Sequence, residues 1–236
     1  MASVPGASFS EGDVAVYDLQ RRLPVSAIVL AGGKGRRIGG NKLFLHLGDQ
    51  AMLEVLLRHL SGWLAETLLV VASGEEHPAQ ELLKKLHRQD MVRIVSDRHE
   101  GLGPLAGLVR GMEEASEHWI FALGCDMPDV NEAVVRLLWH KRTSSGEMGG
   151  EKDAVLARMG GYLEPLHAFY RKACLGRLQK VLCRGKRKIS ACFSEIDMVV
   201  VEEEELAVIP GYRTSFRNLN TPSHLAAWQK EREERN

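Results

Sequence analysis

Apolar residues fall into short blocks separated by polar and glycine-rich stretches along most of the chain. Residues 25–30 (V-S-A-I-V-L) read as a strand, and residues 52–64 carry Leu53, Leu56, Leu57, Leu60 and Leu64 at helical spacing. A second buried strand is expected at 67–72, closed by Ser73-Gly74, then a helix at 78–87 and a short strand at 92–95. Residues 105–115 read as helix, 119–123 as strand, 131–141 as helix and 153–157 as strand. Pro165 marks 162–166 as an edge or a bend. Helices are expected at 167–174 and 175–182, strands at 198–201 and 215–218. A closing helix covers 222–235, with Thr221 as N-cap and Pro222 in its first turn. Strand–helix alternation through 25–141 predicts an α/β chain: a Rossmann-like, three-layer fold with a mostly parallel central sheet and helices on both faces. Residues 1–24 lack periodicity and hold Pro5, Gly6, Gly12 and Pro24, so they read as a tail before a single domain at 25–236.

Ligands of such sheets sit beyond the carboxyl ends of the strands. Three loops converge there: the one after Leu30, the one after Val95, and G-C-D after Leu123. The first contains Lys34, Arg36, Arg37 and Lys42 among its glycines. Backbone N–H groups and cations in one loop suit a phosphate chain. The expected ligand is therefore a nucleotide, with chemistry at phosphorus. A P-loop is excluded, because Asn41 intervenes before Lys42 and Leu43 replaces the hydroxyl residue. A dinucleotide fingerprint is excluded too: Gly33, Gly35 and Gly39 are spaced one residue too far, and Glu54 falls in a helical pattern.

Composition narrows the class. Lys+Arg and Asp+Glu both number 31, so the chain lacks the basic excess of a nucleic-acid binder. An apolar content of 44% fits a folded domain. No apolar run approaches a membrane span, and 1–24 has no secretory core. Cys125, Cys174, Cys183 and Cys192 form no C-x-x-C pair, which reads as reduced thiols in a cytoplasmic protein without a zinc site.

Asp126 follows an apolar strand beside the phosphate loop, where a lone carboxylate suits Mg²⁺ completed by phosphate oxygens and water. Its alternative is to cap the next helix, a role for which Asp129 competes. Asp97 could accept from a ribose or base donor, or form an Asx turn; His99 and Glu100 beside it could be solvated. The small residues of G-P-L-A-G (103–107) would let a ligand approach the backbone. His167 is either structural or near a second substrate. Glu202–Glu205 reads as a solvated face, and Asn218 and Asn220 either cap the last helix or reach a ligand or metal.

The loop L-A-G-G-K-G-R-R-I-G-G-N-K resembles the L-A-G-G-x-x-x-R-M-G-x-x-K loop of the molybdenum cofactor guanylyltransferases, the MobA family. G-P-L-A-G, C-D-M-P (125–128), E-P-L-H-A-F-Y (164–170) and N-L-N-T-P (218–222) resemble that family's later motifs in order and spacing, so that 25–228 is covered. The resemblance implies a nucleotidyltransferase fold and an enzyme that joins GMP from GTP to the terminal phosphate of molybdopterin, releasing pyrophosphate. By the match Leu30, Ala31, Gly32 and Gly33 would contact the guanine nucleotide, Lys42 its phosphates, Asp97 the nucleoside, and Asp126 the magnesium and GTP. Arg37 and Lys42 would absorb charge as pyrophosphate leaves. Ile38 replaces the family's usual Met, and Ala72 stands where relatives can carry an Asn that contacts GTP. Two rivals are a cytidylyltransferase on the same acceptor and a catalytically silent nucleotide-binding module. The implied partners are GTP and molybdopterin, with other molybdenum-cofactor proteins or molybdoenzymes beyond them.

Overall fold

The computed structural model describes residues 21–31, 42–47, 49–60, 62–97, 102–143 and 151–234. Its strands are β1 (Leu23–Leu30), β2 (His46–Leu47), β3 (Gln50–Ala51), β4 (Leu64–Ala72), β5 (Arg93–Asp97), β6 (Trp119–Gly124), β7 (Ala154–Met159), β8 (Tyr162–Leu163), β9 (Ala168–Arg171) and β10 (Met198–Val201). Its helices are α1 (Met52–Leu60), α2 (Glu76–Lys85), α3 (Pro104–Glu114), α4 (Glu132–Lys141), α5 (Leu175–Cys183), α6 (Glu203–Leu206), α7 (Tyr212–Ser215) and α8 (Pro222–Glu233).

The central sheet runs β10-β7-β9-β6-β1-β4-β5, with β8 on β7. β1 pairs in parallel with both β4 and β6, β4 with β5, and β10 with β7. β9 is antiparallel to both of its neighbours. Alternate side chains of β1 serve opposite faces. Val25, Ala27 and Val29 pack with Leu53 and Leu56 of α1, Leu83 of α2 and Val135 of α4. Ile28 and Leu30 pack with Leu108 of α3 and Leu178 of α5. The three-layer α/β arrangement expected from the alternation is the one observed. Buried Ser26 is reconciled with the core by donating to Glu66 Oε2 at 2.7 Å while accepting from Glu117 N–H at 3.1 Å.

Three sequence expectations are corrected. Helix α1 stops at Leu60, and Leu64 opens β4 instead of closing the helix. Residues 167–174 are not one helix: 168–171 form β9, which runs against both of its neighbours, and only Lys172–Cys174 make a 3-10 turn. Phe169 faces one core and Tyr170 the other, so a strand buried on both sides shows an unbroken apolar run instead of alternation. Residues 215–218 form no strand; Ser215 ends the short α7, and Phe216 and Arg217 continue in a turn whose N–H groups donate to the Arg213 and Thr214 carbonyls. The remaining elements match to within a few residues. Residues 1–20, 144–150 and 235–236 lie outside the described residues.

Candidate active site

The carboxyl ends of β5, β4, β1 and β6 line one rim in that order. Ala31 N–H donates to the Val70 carbonyl at 2.9 Å, and Cys125 N–H to the Leu30 carbonyl at 3.1 Å. These bonds fix where the chain leaves β1 and β6. Leu30 and Gly124 are register partners, so the turn carrying Asp126 starts beside the entry to the glycine loop. Asp126 folds back over the preceding turn: a Cβ on Gly124 would collide with its Oδ1. A side chain other than hydrogen at Gly124 would thus displace the carboxylate. Asp126 is mostly buried.

Asp97 ends β5 opposite Ala72 of β4. Helix α3 starts over this edge, and Gly107 makes the close approach. A Cβ there would lie 3.2 Å from Leu30 Cδ2, 3.7 Å from Val70 Cγ1 and 3.9 Å from Asp97 Oδ2. The structure therefore brings Leu30 and Asp97 to one spot under α3. From Asp97 to Asp126 the rim crosses three strand spacings, roughly 14 Å at about 4.8 Å each. That is a length over which a base, a sugar and a phosphate chain can be laid out.

Gly32, Gly33, Lys34, Arg36 and Arg37 lie outside the described residues, as do His99 and Glu100. Lys42 opens a 3-10 turn, Lys42–Phe44; its side chain lies outside the described atoms.

The C-terminal segment completes the rim. Leu219 N–H donates to the Asp126 carbonyl at 2.9 Å, which sets Asn218 and Asn220 on either side of that contact. Thr221 caps α8 as expected, its Oγ1 accepting from His224 N–H at 3.2 Å. The cap of α4 is Asn131, not Asp126 or Asp129. Asp126 is thus left for other work. Among the described residues no three His, Cys, Asp or Glu side chains cluster as a metal site. One carboxylate still fits a hard cation whose other ligands are phosphate oxygens and water.

His167 is fully buried at a φ of 70°. Its Nε2 lies 2.6 Å from Ser215 Oγ, and its ring sits between Phe121 and Phe216. Burial pushes its pKa down to about 4. Of the two roles open to it, the structure gives it the structural one. Leu166 beside it reaches Gly124, and the Tyr170 hydroxyl donates to the Pro165 carbonyl at 2.7 Å, so E-P-L braces the turn that bears Asp126. Glu202 caps α6 through a reciprocal pair with Glu205, and Cys125, Cys174, Cys183 and Cys192 are all free thiols.

One feature of the rim escaped the sequence reading. The exposed run Arg184-Gly-Lys-Arg-Lys188 follows α5 and lies against the start of α3. Leu105 N–H donates to the Arg187 carbonyl at 3.1 Å, and a Cβ on Gly103 (φ 79°) would come within 2.9 Å of that oxygen. Four cations in five residues were the available signal; what was missing was the knowledge that α5 delivers them to the same edge as Asp97.

The profile of the MobA-like NTP transferase domain matches residues 27–199. The chain belongs to this family. A probable molybdenum cofactor guanylyltransferase of Methanosarcina mazei is 35% identical over 210 residues, covering 87% of this chain and 90% of that one. One from Peptoclostridium acidaminophilum is 27% identical over 205 residues, 87% of this chain and 88% of its own. Among solved structures, the molybdopterin-guanine dinucleotide biosynthesis protein A of Archaeoglobus fulgidus superposes with a TM-score of 0.73 at 26% identity, covering 89% of this chain and all of that one. The inositol-1-phosphate CTP transferase of T. maritima, at 12% identity and a TM-score of 0.57, shares the fold. Membership in the MobA-like family agrees with the resemblance carried by the glycine loop, C-D-M-P and N-L-N-T-P. It also agrees with a rim on which C-D-M-P and N-L-N-T-P meet.

Proposed function

We propose that this protein transfers GMP from GTP to the terminal phosphate of molybdopterin and releases pyrophosphate. The observation that carries the reading is the convergence of Leu30, Ala31, Asp97 and Asp126 on one sheet edge, in a chain of the MobA-like family. Leu30, Ala31, Gly32, Gly33 and Asp97 would contact the nucleoside. Lys42 and Arg37 would take the phosphates. Asp126 would hold Mg²⁺, which when bound neutralises charge on the α-phosphate and the leaving group. The acceptor phosphate is already anionic, so attack in line on the α-phosphorus needs no strong general base. Catalysis then consists of positioning and charge stabilisation. The cations at 184–188 sit where an anionic second substrate would approach from the α3 side.

The reading is tested by pyrophosphate release with GTP, molybdopterin and Mg²⁺, together with thermal shifts in GTP, CTP and ATP. GTP alone should raise the melting temperature appreciably, since a ligand that binds only the folded state stabilises it. A larger shift with CTP would make the protein a cytidylyltransferase. Binding of GTP without pyrophosphate release would make it a silent module. Asp126→Asn is expected to lower turnover by about 100-fold or more while the protein stays folded, the usual scale for losing one charge-stabilising group.

A further inference from the structure

The loop that carries Asp126 is tied to the C-terminal segment at three successive points. Asn131 N–H donates to Ser215 Oγ at 2.8 Å, Arg217 Nη2 donates to Asp129 Oδ2 at 2.9 Å, and Leu219 N–H donates to the Asp126 carbonyl at 2.9 Å. The two stretches therefore run alongside each other in opposite directions, 131 against 215, 129 against 217, 126 against 219. The middle tie joins two charged side chains and reaches further. Asp129 Oδ2 also accepts from Trp228 Nε1 at 2.6 Å, and Arg217 Nη1 donates to both oxygens of Glu231 at 2.9 and 2.8 Å. Through this pair α8 is fastened to the turn that bears Asp126. Trp228 is itself seated against Leu47, Met52, Val55 and Leu219.

A partly buried ion pair is weak evidence for stability, because desolvation offsets its attraction. A guanidinium held by two carboxylates fixes orientation instead, because its planar fork matches them in one geometry. We propose that Asp129 and Arg217 are positioning residues for nucleotidyl transfer. Their pair sets the 218–220 segment against the Asp126 turn, so that the Asp126 carboxylate and the flanking Asn218 and Asn220 keep one arrangement toward cation and triphosphate. Neither residue touches substrate in this scheme. The inference rests on the role given to Asp126 above.

The test uses the full chain with Arg217→Leu, Asp129→Asn and Asp126→Asn, singly and as Arg217→Leu combined with Asp126→Asn. Arg217→Leu and Asp129→Asn should each lower kcat about tenfold or more, the scale of a small misplacement at a reacting centre. Each should also raise the Mg²⁺ concentration for half-maximal rate, with little change in KM for molybdopterin. The rise in melting temperature produced by Mg²⁺ and GTP together should shrink, whatever happens to the unliganded melting temperature. In the Asp126→Asn background, Arg217→Leu should add nothing, as expected for residues acting through one group. Wild-type kcat, Mg²⁺ dependence and ligand-induced shift in both single variants would overturn the inference, as would full additivity with Asp126→Asn. A wild-type protein that shows no shift with Mg²⁺ and GTP and no pyrophosphate release would overturn the role of Asp126, and this inference with it.

Discussion

At the scale of single residues, His167 shows how a burial decision becomes a pH response. Its pKa falls from 6.5 to about 4 because the ring is buried with Nδ1 unpartnered. The unfolded chain therefore binds a proton between pH 6.5 and 4 that the folded chain does not. The stabilising contribution is full above pH 6.5 and is lost as pH falls toward 4, to the extent of about 3 kcal/mol at 1.36 kcal/mol per unit. Denaturant unfolding at pH 7 and pH 4 should show this loss in the wild type. His167→Asn, which tolerates the positive φ and can still bond Ser215, should lose about 3 kcal/mol less over the same range. An equal loss in both proteins would place the acid sensitivity elsewhere. Asp126 was readable as a residue because a lone acid after an apolar strand has few other uses. The fate of His167 was not, since nothing in E-P-L-H-A says that the imidazole turns into the core.

At the scale of elements, α3 is held to β1 and β4 by glycines that permit contact without a side chain between. A Cβ on Gly111 would lie 2.7 and 2.8 Å from Ile28 Cγ2 and Cδ1, in a fully buried layer. Ala would gain roughly 1 kcal/mol of helix propensity, but overpacking of this kind costs about 1–3 kcal/mol. Gly111→Ala is therefore expected to destabilise by up to about 2 kcal/mol in chemical denaturation. Gly107→Ala meets only the movable tip of Leu30 at 3.2 Å and should change stability less. It should instead raise KM for GTP if Leu30 contacts the nucleoside as proposed, because it displaces the Leu30 tip at the rim. A steady-state comparison of the two variants separates packing from binding. The parallel elements were legible because strands and helices alternate with clear periods. Strand β9 was not, because Ala168-Phe169-Tyr170 serves both cores at once and its three adjacent apolar residues carry neither the helical nor the strand period.

At the scale of the whole molecule, the sheet acts as a rack on which distant motifs are brought level. Residues 30–31, 97, 103–107, 126, 184–188 and 218–220 reach one edge because parallel strands all end there and α5 returns to it after the reversed β9. One expectation follows for the assembled rim. Arg187→Ala should raise KM for the anionic acceptor with a smaller effect on the thermal shift by GTP, whereas Asp97→Ala should do the reverse; steady-state titration of each substrate checks both. The amino-acid sequence by itself determined the α/β class and the family motifs. These depend on local periods, on glycine and on charge, which the chain carries wherever it goes. Only the tertiary structure decided that β9 runs backwards and that His167 is buried. It also decided that Asn131 caps α4, that Arg217 grips Asp129 across 88 residues, and that the basic run after α5 lies against the start of α3. Those outcomes depend on which segments lie side by side once two apolar faces are covered at the same time, and no short window of sequence contains both partners.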